Sequence, residues 1–124
     1  MVLCDTNILI ELYRNNQQVA AQLRDVGTAN LGISVVTQAE LYFGARDKIE
    51  FQRIRKHLSL IKSYPIDTAV SHQFLEILET FVLSHKPTIP DALIAATALV
   101  HNLPLFTLNV KDFRFIPNLV LHIP

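Results

Sequence analysis

Short apolar runs alternate along this chain with longer stretches of helical period, and no other feature constrains the fold so tightly. Val2 to Asp5 reads as a short strand ending on an acid. Helices over residues 7–13 and 17–26 follow, separated by the polar Arg14-Asn15-Asn16 turn. Leu31 to Val35 is a second strand, β-branched and preceded by Gly27 and Asn30. Thr37 to Gly44 predicts a helix with Thr at its cap and Gly at its end. Phe51, Ile54, Leu58 and Ile61 mark an apolar stripe on a charged helix from about Ile49 to Lys62. Ser63 to Ile66 is a third strand, after which Asp67 caps a helix over residues 68–84. Thr88 to His101 is apolar almost all round and has to be buried, with Asn102 in the left-handed position that stops it. Leu105 to Thr107 and Leu119 to His122 are further strands, with a helical turn at 110–114 between them. The alternation implies an α/β fold: a mainly parallel sheet covered by helices on both faces, in three α/β/α layers.

Composition narrows what such a fold can be. With 124 residues, half of them apolar and no repeat or linker-like tract, the chain reads as one domain, 1–124. Cys4 is the single cysteine, which excludes an intrachain disulfide framework and a Cys-based zinc cluster. Eleven basic and eleven acidic residues balance, arguing against a protein that coats nucleic acid or anionic membrane by bulk charge. No apolar run approaches the roughly 20 residues of a membrane helix, and the opening MVLCD lacks a basic flank and a long apolar core. The expectation is a soluble, cytoplasmic protein.

The acids fall at particular places. Asp5 ends the first strand, Glu40 is expected in the first turn of the helix after the second, and Asp91 in the first turn of the buried helix. Asn109 and Asp112 follow the strand ending at Thr107. In a parallel α/β sheet, strand ends and the helix starts that follow them share one edge, where ligands bind. Carboxylates gathered there must bind a cation, take up protons or be otherwise compensated. Oxygen donors without Cys or His partners select Mg²⁺ or Mn²⁺. Helix capping competes with that reading: Thr37-x-x-Glu40 has the form of a capping box, and Thr88-x-x-Asp91 and Asn109-x-x-Asp112 are its relatives. Capping accounts poorly for Asp5, because Thr6 and Asn7 stand ready to cap instead. It also leaves unexplained why so apolar a helix begins with a charge.

Three blocks in order, MVLCDTNILIEL, ISVVTQAELYFGA and IPDALIAATALVHNLPLFTLNVKDF, resemble PIN-domain ribonucleases, and among them the VapC-type toxins of bacterial toxin–antitoxin pairs. The resemblance spans essentially the whole chain. It implies a metal-dependent endoribonuclease that uses Mg²⁺, with Mn²⁺ able to substitute, and has Asp5, Glu40 and Asp91 as its acidic triad. It implies RNA as substrate, with cleavage leaving 5′-phosphate and 3′-hydroxyl ends, a VapB-like antitoxin as partner, and a homodimer. The fourth family position falls on Asn109, which brings no charge; Asp112, one turn on, is the less favoured substitute. Thr6 and Thr107 are expected to orient ligands or bound waters.

Residues 46–62 hold six Lys/Arg against two acids, a local +4. Arg46, Lys48 and Arg53 there, with Lys111 and Arg114 beyond the fourth site position, are candidate RNA or partner contacts of the phosphate-holding kind. A solvated amphipathic helix accounts for the same run. The five histidines share no ligand spacing, and Cys4 reads as a small core residue. A phosphoacceptor receiver domain lacks its second strand-end acid here, and an aspartyl-phosphate phosphatase would need an acid where Asn7 stands. The rival from another class is a PIN-like binding module whose catalysis is impaired by Asn109.

Overall fold

In a computed structural model describing residues 1–124, strands and helices alternate as the sequence pattern implies. The order is β1 (Val2–Cys4), α1 (Thr6–Tyr13), α2 (Gln17–Val26), β2 (Leu31–Ser34), α3 (Val35–Phe43), α4 (Lys48–Leu58) and β3 (Lys62–Tyr64). It continues through α5 (Thr68–Phe81), α6 (Ile89–His101) and β4 (Leu105–Phe106). Single 3₁₀ turns occupy Thr28–Asn30 and Val110–Asp112. The strands pair in the order β3-β2-β1-β4, every pairing parallel.

Side-chain alternation along the strands divides the interior in two. Val2 and Cys4 of β1, Leu31 and Ile33 of β2 and Phe106 of β4 join Ile8, Leu9, Val19, Leu23, Ile54 and Leu58 in a cluster under α1, α2 and α4. Leu3 and Leu105 point the other way, into a second cluster with Val70 and Ile77 of α5 and the alanines of α6. The result is a three-layer α/β/α sandwich. Strands of two to four residues form few ladder bonds, each worth about 1 kcal/mol net. Burial of a large apolar side chain contributes about 1.5–3 kcal/mol, and the two clusters bring together 13 and 12 buried residues. Packing, rather than sheet pairing, therefore holds the layers. Cys4 is fully buried, as a core residue should be.

Helix boundaries follow local chemistry. Asn16, Asp47, Asp67 and Thr88 cap α2, α4, α5 and α6, each accepting from the backbone N–H three residues on. Asn102 stops α6 with φ +53°. Several boundaries differ from expectation. The fourth helix ends at Leu58 and not at Lys62, because Lys62 is drawn into β3 beside Gly32. That strand is accordingly Lys62–Tyr64 instead of Ser63–Ile66, and α5 stops at Phe81, short of 84. Residues 119–122 form no strand: β4 is so short that it offers a partner to Leu121 alone, as one bridge to Leu105.

Gly32 is where β2 passes beneath a ring. A Cβ there would sit 2.7 Å from Cε2 of Tyr64, whose ring is itself packed 4.5 Å from that of His101. Gly32→Ala is expected to destabilise the fold by about 1–3 kcal/mol through overpacking. Urea unfolding checks this, and an unchanged midpoint would show that the ring moves freely.

Candidate active site

Because every strand runs the same way, the ends of β1, β2 and β4 meet at one edge of the sheet, and the acids gather there. Asp5 directly follows β1 and is the N-cap of α1, against the expectation that Thr6 or Asn7 would do that work. Its Oδ1 accepts from the Thr6 backbone N–H at 2.7 Å and its Oδ2 from the Thr107 hydroxyl at 2.7 Å. The Asp5 backbone N–H donates to the Phe106 carbonyl at 2.9 Å, fixing the carboxylate to the end of β4. Thr107 Oγ1 in turn accepts from the Asn109 backbone N–H at 3.0 Å.

Glu40 arrives by a route the sequence pattern misplaced. The helix begins at Val35, immediately off β2, with Ser34 as its cap accepting from the Val36 N–H at 3.2 Å. Thr37 is therefore buried inside the helix and Glu40 lies in its second turn, so the capping box is not formed. The Thr6 hydroxyl donates to Glu40 Oε1 at 2.7 Å and lies 3.0 Å from Thr37 Oγ1. Asp91 does sit in the first turn of α6, where its backbone N–H donates to Thr88 Oγ1 at 3.2 Å. Asn109 is exposed and its side chain caps nothing, so the capping box expected there is not formed. Asp112, half-buried, lines a cleft of about 150 Å³ together with Asp91.

The electrostatics tie these groups together. Burial raises the Asp5 carboxyl above its ordinary value; the Thr107 and Thr6 hydrogen bonds oppose this, and the charges of Glu40 and Asp112 add to it. Asp91 is pushed up to about 6, by burial first, then by Asp5, with Asp112 and Glu40 contributing against the bond from Thr88. Asp112 is thus a further charge that both Asp5 and Asp91 feel. No cation relieves it: the ion pairs of the chain are Arg14–Glu11 and Arg46–Glu50, both elsewhere. No three His, Cys, Asp or Glu side chains close into a ready ligand shell. Uncompensated like charges hold apart, and the donor set suits a hard cation that keeps several of its waters.

Two expected outcomes follow. Asp91 titrates near 6 in the folded chain against 3.8 ordinarily, so folding favours its protonated form. The stability it contributes is complete below about pH 4 and is lost as pH rises through about 6. Ion-free protein is expected to melt several degrees higher near pH 5 than near pH 7.5; a melting temperature that climbs over that interval would contradict this origin. Separately, Thr107→Val removes the hydroxyl donor to Asp5 and is expected to lower any activity of the site about 10- to 100-fold. Thr107→Ser should restore it, and equal losses in both variants would dismiss the hydrogen bond as the cause.

The basic candidates separate. Arg46 is held by Glu50 in an exposed pair at 2.9 Å, of the kind worth about 0–1 kcal/mol. Lys48, Arg53 and Arg114 are exposed and unpaired, away from the acids' hydrogen-bond network. Lys111 lines the Asp91–Asp112 cleft, as do His85 and Lys86, which sequence reasoning passed over. Their signal was a Ser-His-Lys-Pro turn immediately before Thr88, invisible to a search for ligand-spaced histidines.

A parallel α/β/α sandwich with its acids at the carboxyl edge of the sheet describes a class of fold, and the chain belongs to the PIN-domain family, whose model matches residues 2–117. Within that family it is VapC-like. It is 34% identical over 117 residues to Ribonuclease VapC10 of Mycobacterium tuberculosis (strain CDC 1551 / Oshkosh), which covers 91% of this chain and 86% of that protein. A toxin–antitoxin complex from Klebsiella pneumoniae superposes with a TM-score of 0.83 at 33% identity, over 97% of this chain and 96% of that one. VapBC2 from Rickettsia felis, bound to a DNA fragment from their promoter, gives 0.77 at 26% identity over 98% of each chain. No helix of the chain is long and apolar enough to cross a membrane.

Proposed function

We propose that this chain is the toxin of a toxin–antitoxin pair, a metal-dependent endoribonuclease with Asp5, Glu40, Asp91 and Asp112 at its centre. The observation that carries the reading is that Asp5 and Asp91 both feel the charges of Glu40 and Asp112, which come from separate segments, and that none of the four is in an ion pair. Its relatives, a ribonuclease and toxins held in complexes with antitoxins, support the same reading. Mg²⁺, or Mn²⁺ in its place, when bound by Asp5, Asp91 and Asp112, would supply Lewis-acid polarisation of a phosphoryl oxygen and acidify a water.

The residues of the chain do the rest. Asp5 is held by two hydrogen bonds and serves as the fixed anchor. Glu40 is exposed and held by the Thr6 hydroxyl, which leaves its other carboxylate oxygen able to take a proton from the attacking water. The water oxygen bonds to phosphorus as the P–O3′ bond breaks, and the departing 3′ oxygen takes up a proton, giving 5′-phosphate and 3′-hydroxyl ends. The rival reading, a non-catalytic binding module, rests on the missing charge at Asn109, and in this proposal Asp112 supplies that charge. A VapB-like antitoxin as partner, a homodimer and a cytoplasmic setting belong to the same proposal. The test is direct: purified, antitoxin-free protein with Mn²⁺ should cut members of a broad RNA panel, and a panel left intact would end the enzyme reading.

A further inference from the structure

Beside the carboxylates, the cleft between the α5–α6 turn and the Val110–Asp112 segment has a second wall that the hydrolytic scheme does not use. Lys86 and Lys111 both line it. Neither closes to ion-pair distance with Asp91 or Asp112, although all four residues face the same small space. The two ammonium groups are therefore in no ion pair, and they line the same cleft as two of the proposed site carboxylates.

The same wall carries a fixed aromatic group. The His85 imidazole lies parallel to the Phe115 ring, 4.2 Å between centroids and 12° between planes. Phe81 meets both rings edge-on, at 5.6 Å from His85 and 5.1 Å from Phe115. The Ser84 hydroxyl bonds to His85 Nδ1 at 2.8 Å, which fixes the ring's rotation. Despite these contacts His85 stays exposed, so part of an immobilised aromatic surface is offered to solvent. The turn that presents it is anchored: the backbone N–H groups of His85 and Lys86 both donate to the Phe81 carbonyl, and Lys86 takes the left-handed conformation at φ +48°.

We propose that this cleft is a nucleotide subsite of the active centre, in which Lys86 and Lys111 hold the phosphate next to the scissile one and His85 stacks on its base. The inference rests on the ribonuclease reading and deepens it. A ring held in place loses little entropy on stacking, and every base offers a π-face, so the subsite tracks the strand without reading sequence. It also selects the form of the substrate: a base must be unstacked to meet His85, which favours single-stranded segments and loops over duplex RNA. An acidic side chain of a protein partner would use the two lysines but not the ring, so the combination favours RNA.

The test is steady-state cleavage of a short labelled single-stranded RNA with Mn²⁺. Lys86→Asn suits the left-handed backbone and is combined with Lys111→Ala; His85→Ala is made separately, and melting temperatures confirm folding. The lysine double variant should raise KM about tenfold with kcat nearly unchanged, and should flatten the dependence of log KM on log salt by about 1.4, from about 0.7 per lost cation. His85→Ala should raise KM about tenfold on intact RNA. On RNA abasic at the nucleotide flanking the cut, wild type should already be weakened and His85→Ala no weaker. Unchanged KM and salt dependence in variants of an enzyme that still cleaves would overturn the subsite and leave the nuclease standing. An effect confined to binding of a protein partner would also overturn it. Failure of wild type to cleave any RNA would instead remove the nuclease reading on which the subsite depends.

Discussion

Asp91→Asn is expected to lower RNA cleavage by more than about a hundredfold while raising the melting temperature of the ion-free protein near pH 7.5. Groups that merely orient metal ligands already cost about 10- to 100-fold when removed, and Asp91 is proposed as a ligand itself. The rise in stability comes from the other side of the same physics. Asp91 pays for its position through burial and the charge of Asp5, both of which push its carboxyl up to about 6. The amide removes that penalty without disturbing the cap, since the bond to Thr88 Oγ1 is made by the Asp91 backbone N–H. Rates measured on a cleavable RNA and thermal melts on the same preparations decide the matter. A purely structural Asp91 would show the reverse, with activity retained and no gain in stability.

The second large effect concerns the ion. Near pH 7.5, Mg²⁺ at about 100 times its Kd should stabilise the protein by about 2.7 kcal/mol, a Tm rise of about 10 °C for a chain of this size. The shift should shrink near pH 5, where protons compete for Asp91, and should largely vanish in Asp5→Asn. Differential scanning calorimetry across Mg²⁺ concentrations checks all three. An equal shift in Asp5→Asn would trace it to diffuse ion binding away from the acid edge.

The positions of Asp5 and Asp91 were legible because a parallel sheet leaves little choice about where strand ends go. Once the alternation of elements implied such a sheet, Asp5 at the end of β1 and Asp91 at the start of the helix that runs back to β4 had to share an edge. Thr37 and Glu40 show where that reasoning fails. Thr-x-x-Glu looks the same whether Thr caps a helix or lies within one, and only the direct passage from Ser34 into α3 decides it. Asn109 against Asp112 was undecidable for a related reason. A single 3₁₀ turn has too few residues for a periodic pattern, so where it puts Asn109 and Asp112 leaves no trace in the sequence. The strand expected at residues 119–122 needed a neighbour long enough to pair with, which β4 is not. His85 was missed because its partners, Phe81 and Phe115, are assembled by the packing of α5 against the chain's last segment.

The bond between Asp5 and Thr107 spans 102 residues of sequence, and it sets a clock on the molecule's own manufacture. A ribosome making this chain delivers the hydroxyl that holds the first carboxylate 102 residues after it, and Asp112 later still. Every nascent intermediate short of Thr107 carries acids with no edge to sit on. The centre can assemble only once Thr107 and the residues just beyond it have emerged, so until then the machinery that makes the protein works beside an unarmed chain.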